Sequence, residues 1–185
     1  MAKMVRKATT ALYPLPAVLV SCGTGGQANI ITLAWAGTLC SNPPQVGLGV
    51  RPSRHSHGLI RDVGEFVVNL PRADQVRLVD HCGVVSGRYE DKWAACGFTP
   101  IPGAEVAVPL IAECPVNIEC RLRQTISLGS HDFFIGEVVA MQIDENALDD
   151  RGQLDIAVTA PFAYLNGDYH RVGELLGTYG FSKGR

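Results

Sequence analysis

Two stretches of this 185-residue chain combine residue types and spacings that could do chemistry. In the first, Arg51-Pro52-Ser53-Arg54-His55-Ser56 closes a strand-like run and opens a helical pattern that begins at Ser56. A helix N-terminus carries unpaired N–H groups and a partial positive charge, so it attracts anions. Two guanidiniums and two hydroxyls placed there suit a phosphate dianion held by charge-assisted hydrogen bonds. The plainer reading makes Ser56 an ordinary N-cap beside solvated arginines. In the second stretch, residues 29 to 44, Asn29, Thr32, Thr38 and Ser41 alternate with apolar residues around Trp35. Small polar groups along an apolar strand suit a flat heteroaromatic ligand, which needs bonds at its edge and a wall against its face. An ordinary core tryptophan is the alternative.

Charge sharpens the first motif. No Asp or Glu precedes Asp62, while Lys3, Arg6, Lys7, Arg51, Arg54 and Arg61 all lie before it. A basic N-terminal third in a chain of net charge −2 points to a small anionic ligand rather than to general nucleic-acid binding. Other chemistry-bearing residues lack the spacing they would need. None of the six cysteines forms a Cys-x-x-Cys pair, and they read as reduced core residues of a cytoplasmic protein. His55, His57 and His81 have no third ligand at a useful spacing, so no metal site is expected. His131 follows Gly129-Ser130 in a turn and is expected to make a local structural bond. Gly23-x-Gly25-x-x-Ala28 imitates a dinucleotide fingerprint, but a β-branched run follows instead of a helix, and no acid appears about 20 residues on. Those glycines read as a hairpin turn.

The elements that would position these residues are mostly strands. Runs rich in Val, Ile and Phe recur at Ala17–Cys22, Asn29–Ala36, Gln45–Val50, Glu65–Leu70, Val116–Arg123, Phe133–Ile143 and Ile156–Thr159. Helical spacing is confined to Ser56–Val63, Asp74–Cys82 with Gly83 as its stop, and Glu90–Cys96 ended by Gly97. This pattern predicts a mainly β, barrel-like single domain over residues 1–185, with a few short helices. Charged residues make up only 18%, which leaves apolar surface to hide and favours an oligomer. No apolar run approaches the length of a membrane span. The basic, apolar start ending at Cys22 resembles an exported leader, but Pro14 and Pro16 interrupt it, which predicts a protein that stays in the cytoplasm.

The string NIITLAWAGTLCSNPPQVGLGVRPSRHSHGLI, followed by EFVVNLP, VSGRYEDKWAACGFTP and SLGSHDFFIGEVVAM, resembles the flavin reductase-like family. Within it the Ser86-Gly87-Arg88…Asp91-Lys92-Trp93 block and Gly173-Glu174-x-Leu176-Gly177 are most similar to the flavoredoxins. The resemblance implies an FMN-binding split β-barrel of Greek-key type and a homodimer with one FMN per subunit near the interface. Carried over position by position, it implies that Asn29, Thr32, Trp35, Cys40 and Ser41 line the flavin and its ribityl chain. Arg51, Arg54 and Ser56 would serve the phosphate, with Lys92 and Phe162 completing the site. Pro52 departs from the family pattern in removing one backbone donor. Lys92 would either stabilise negative charge on a reduced flavin, bond the phosphate, or stand as a surface lysine beside Asp91.

The implied activity is that of an FMN-dependent oxidoreductase or electron-transfer protein of flavoredoxin type, with a redox protein or NAD(P)H as its partner. The alternatives are an NAD(P)H:flavin oxidoreductase and a non-catalytic flavin- or haem-binding split barrel.

Overall fold

The computed structural model describes residues 1–184. The chain enters through β1 (Leu15–Pro16) and β2 (Val18–Cys22), turns, and continues as β3 (Asn29–Leu33), β4 (Ala36–Ser41) and β5 (Pro44–Val50). Helix α1 (His55–Val63) leads into β6 (Glu65–Leu70), followed by α2 (Val76–Val84) and α3 (Lys92–Cys96). The short β7 (Pro100–Ile101) and β8 (Leu110–Ile111) precede the long hairpin of β9 (Val116–Ser127) and β10 (Asp132–Ile143). Helix α4 (Ile156–Thr159) and strands β11 (Phe162–Leu165) and β12 (Asp168–Arg171) follow.

Seven strands form one sheet in the order β3-β2-β6-β9-β10-β5-β4. Its two edges, β3 and β4, are consecutive in the chain and separated only by Ala34 and Trp35. Two intervening residues make three backbone steps and span at most about 10 Å, so the sheet must curl until its edges come near each other. That is the split barrel. The alternation of side chains along β2 explains why the strand is buried on both faces. Val18, Val20 and Cys22 point inside the curl with Leu48, Phe66 and Phe134, while Ile60 of α1 closes the end. Ala17 and Leu19 join an outer layer with Ile30, Val79, Cys82, Trp93 and Phe162, which α2 and α3 cover. The buried Asn69 stitches the layers, donating to the Leu19 carbonyl and accepting from the Ile111 amide, both at 3.1 Å.

The Gly23–Ala28 turn joins β2 to β3 as an antiparallel hairpin, with no helix of the dinucleotide-binding kind. Several boundaries depart from expectation for identifiable reasons. The 29–36 run is broken at Ala34–Trp35, where the chain crosses between the sheet edges. Residues 156–159, expected as a strand, form a helical turn. Asp155 caps it by accepting from the Ala157 amide at 2.7 Å, and four β-branched or small residues are too few for periodicity to separate the two states. Gly83 does not stop α2, which runs on to Val84. A Cβ there would lie 3.3 Å from Thr32 Cβ, so the glycine lets α2 approach β3 closely. No helix among the described residues is long and apolar enough to cross a membrane.

Candidate functional site

Helix α1 starts at His55, with Arg54 in extended conformation at the N-cap and no side chain capping the end. Ser56 is thus not the cap. It lies buried in the first turn, and its Oγ accepts from Asn29 Nδ2 at 2.8 Å. Gly87 backs this pair: a Cβ at that position would come within 2.0 Å of Asn29 Oδ1. Lys92 opens α3, where Asp91 caps the helix by accepting from the Trp93 and Ala94 amides. The side chain turns inward, and its Nζ donates to the carbonyls of Ile30 at 2.8 Å and Cys82 at 2.7 Å. Only 3% of Lys92 is exposed. Asn29, Arg54, Ser56 and Lys92 line one pocket of about 220 Å³, walled by the loop carrying Gly87 and Arg88. Trp93, whose Nε1 is a buried donor without a partner, lines an adjoining cleft together with Lys92 and Arg88.

The electrostatics of this pocket are one-sided. Burial pulls the Lys92 ammonium below its ordinary range, and the positive charge of Arg54 adds to the effect. Among the described residues no carboxylate pairs with Lys92 or Arg54. An ammonium has three donors, and two are spent on neutral carbonyls. One donor and a whole positive charge remain uncompensated in a buried place, which is costly unless an anion arrives. The uncapped α1 terminus adds its own free N–H groups to the same pocket.

A second, larger cleft of about 970 Å³ opens at the Trp35 crossing. Trp35 packs its ring against His131 with centroids 4.3 Å apart, and Leu39, Phe133 and Leu128 extend the apolar wall. Tyr13 and Leu12 of the N-terminal segment form the other side. Ser130 Oγ lies 2.9 Å from His131 Nδ1, the local bond expected of a turn histidine. Burial, and then the nearby Arg51 charge, hold the His131 imidazole below its usual range.

The ten candidate residues therefore divide. Asn29, Arg54, Ser56 and Lys92 meet in one pocket, and Thr32 lies along the same strand with its Oγ1 donating to the Val79 carbonyl. Trp35 belongs to the second cleft, where Arg51 acts on His131. Cys40 and Ser41 stand at the far end of β4 beside the Asn42–Pro43 turn, with Cys40 Sγ donating to the Asn42 carbonyl, and they line neither pocket. Phe162 sits in the outer core layer, edge-on to Tyr169 at 6.0 Å. Sequence reading named Gly87 within the Ser86-Gly87-Arg88 block but gave neither it nor Phe133 a place in the site. A Ser-Gly-Arg turn before a capped helix is the one local signal for the former, whereas Phe133 meets Trp35 only through the β5–β10 pairing.

Residues 10–173 match the family model described as the flavin reductase like domain. The chain belongs to the flavin reductase-like family. This flavin reductase-like chain is similar to the flavoredoxin of Desulfovibrio vulgaris (Miyazaki F), at 34% identity and a TM-score of 0.91 over 98% of this chain and 100% of that one. It is also similar to the flavoredoxin from Methanosarcina acetivorans, at 32% identity and a TM-score of 0.89 over 97% and 96% of the two chains. An FMN-binding protein from Thermus thermophilus, whose crystal structure holds 1-cyclohex-2-enone, is 26% identical with a TM-score of 0.83 over 96% and 99%.

Proposed function

We propose that the chain is an FMN-binding oxidoreductase or electron-transfer protein of flavoredoxin type, working as a homodimer. The observation that carries this reading is the buried Lys92 ammonium, unmatched by any carboxylate among the described residues and facing the uncapped end of α1 beside Arg54 and Ser56. That donor set fits the phosphate of FMN: two cationic side chains, one hydroxyl and backbone N–H groups converge on a pocket of suitable size. Similarity to two flavoredoxins and to an FMN-binding protein supports the same ligand.

Bound FMN supplies one- and two-electron redox chemistry that no side chain here provides. The residues of the chain hold and tune it. Lys92 and Arg54 bind the phosphate and keep positive potential over the site, which favours the more negative, reduced form of a ligand. Asn29 fixes the orientation of the Ser56 hydroxyl, and Trp35 offers an apolar wall at the other end of the same strand pair.

The homodimer is supported by the extended segment after β12. Leu175, Leu176 and Tyr179 there are almost fully exposed large apolar groups, Phe181 is largely exposed, and Trp35, Leu39 and Leu128 add more around the cleft. A second copy of the chain would cover them. An NAD(P)H:flavin oxidoreductase is the second reading, favoured by the open Trp35 cleft, which leaves room for a planar donor. Denaturing purified protein and identifying the released flavin tests the main proposal: FMN is expected, and FAD or no bindable flavin overturns it. Anaerobic mixing with NADH and NADPH, followed at the flavin absorption band, separates the carrier from the reductase. Sedimentation of a monomer that binds FMN tightly would remove the dimer.

A further inference from the structure

The Cys82 and Cys96 sulfurs lie 3.7 Å apart, one at the C-terminal turn of α2 and the other at the last position of α3. Both are free thiols. A disulfide needs about 2.05 Å between sulfurs, so closure asks each to move by roughly an ångström. The chain between them is the loop bearing Ser86, Gly87 and Arg88 and the start of α3 bearing Lys92, which is the outer wall of the anion pocket. Lys92 is already bonded to the Cys82 carbonyl, so the dithiol and the pocket share one piece of backbone.

We propose that Cys82 and Cys96 are a reversible redox modification site, and that their disulfide clamps the 83–95 loop over the anion pocket. Cys96 is the half-buried member and the point of entry, while Cys82 is fully buried behind it. The oxidant class is a small disulfide such as oxidised glutathione. The Cys96 sulfur, having lost its proton, attacks one sulfur of the reagent, forming a mixed disulfide and expelling one small thiolate. The Cys82 sulfur then gives up its proton and attacks the Cys96 sulfur, breaking the mixed bond and expelling the second small thiolate. Both thiolates pick up the released protons. The protein loses two hydrogens and the reagent is reduced to two thiols. Burial raises the Cys82 thiol to about 12 and also raises that of Cys96, so the exchange is slow at neutral pH and accelerates in mild alkali.

Local opening of the segment between the two cysteines would expose the chain at Arg88, so cleavage at this exposed residue reports on the clamp. The test equilibrates the full chain with oxidised and reduced glutathione, followed by intact mass, peptide mapping and tryptic cleavage after Arg88. The expected result is a loss of two hydrogens with Cys82 linked to Cys96. Cleavage after Arg88 should slow by about threefold or more, with dithiothreitol reversing both. Cys96→Ser should abolish the link and the protection. Glutathione adducts without an internal link, or a link between other cysteines, overturns the site. A Cys82–Cys96 link that leaves Arg88 cleavage unchanged overturns the clamp. Slower release of FMN from the oxidised form is also expected, and this one readout rests on the proposed function. Protein that binds no FMN yet forms the link and protects Arg88 defeats that function and leaves the dithiol site standing.

Discussion

At the α1 end of the sheet, the pocket around Lys92 is made of positive charge, fixed hydrogen bonds and a loop held by Gly87 against Asn29. At the Trp35 crossing, the other cleft is open and apolar, its ring stack half-exposed to solvent. One end of the strand pair is complete within a single chain, and the other lacks a cover. The difference teaches which interactions a lone subunit can prepare in advance. Charge and backbone donors are preorganised by local elements, whereas an apolar wall for a planar ring needs area that only another surface supplies.

The largest effect should come from Lys92→Met. Removing a buried charge-assisted contact should weaken FMN binding by about 2–3 kcal/mol, roughly 30- to 150-fold, with a much smaller change for riboflavin, which lacks the phosphate. Equal loss for both ligands, measured by fluorescence titration, would show that Lys92 serves the fold and not the anion. Arg54→Ala follows. Its side chain is exposed, so about 1–2 kcal/mol is expected, roughly 5- to 30-fold for FMN and near zero for riboflavin. Trp35→Ala should cost about 1 kcal/mol, roughly fivefold, and should not distinguish the two ligands. Selectivity in that variant would erase the contrast between the two regions. Added salt should weaken FMN binding by about two- to threefold and leave riboflavin unchanged, because the pocket is only partly screened.

The smallest effect concerns pH at the open end. His131 has its folded pKa lowered by burial and then by Arg51. A depressed histidine binds its proton more readily when unfolded, so it costs no stability above the ordinary histidine range. The cost grows as pH falls through that range and levels off below the lowered native value. Arg51→Ala should raise the His131 pKa, as read from its ring proton shifts by NMR. A titration unmoved by that change would mean Arg51 points elsewhere.

The sequence made the strand-rich fold and the gathering of Arg54 and Ser56 at the start of α1 readable because both rest on local chemistry. β-branched runs mark strands, and a basic turn before a helix marks where cationic side chains meet free N–H groups. Rejecting the dinucleotide motif at Gly23 also needed only the β-branched residues after it, and β2 and β3 do pair as a hairpin. What escaped was decided by distant partners. Gly83 looked like a helix stop and instead makes room for Thr32, 51 positions earlier in the chain. Lys92 kept three roles open until its bonds to Ile30 and Cys82 placed it inside the fold. The 156–159 segment was too short for any period to decide, and a single capping aspartate settled it as a helix.

The two-residue crossing at Ala34 and Trp35 also has a mechanical meaning. It ties the sheet's edges at one point, while β3 and β4 leave it without pairing to each other among the described residues. The arrangement is that of a clasp, with Trp35 at the bend and Asn29 and Ser41 at the far ends of strands that are each laced to another neighbour, β3 to β2 and β4 to β5. The ring stacked on His131 therefore sits at the place where the covalent chain itself closes the curl of the sheet.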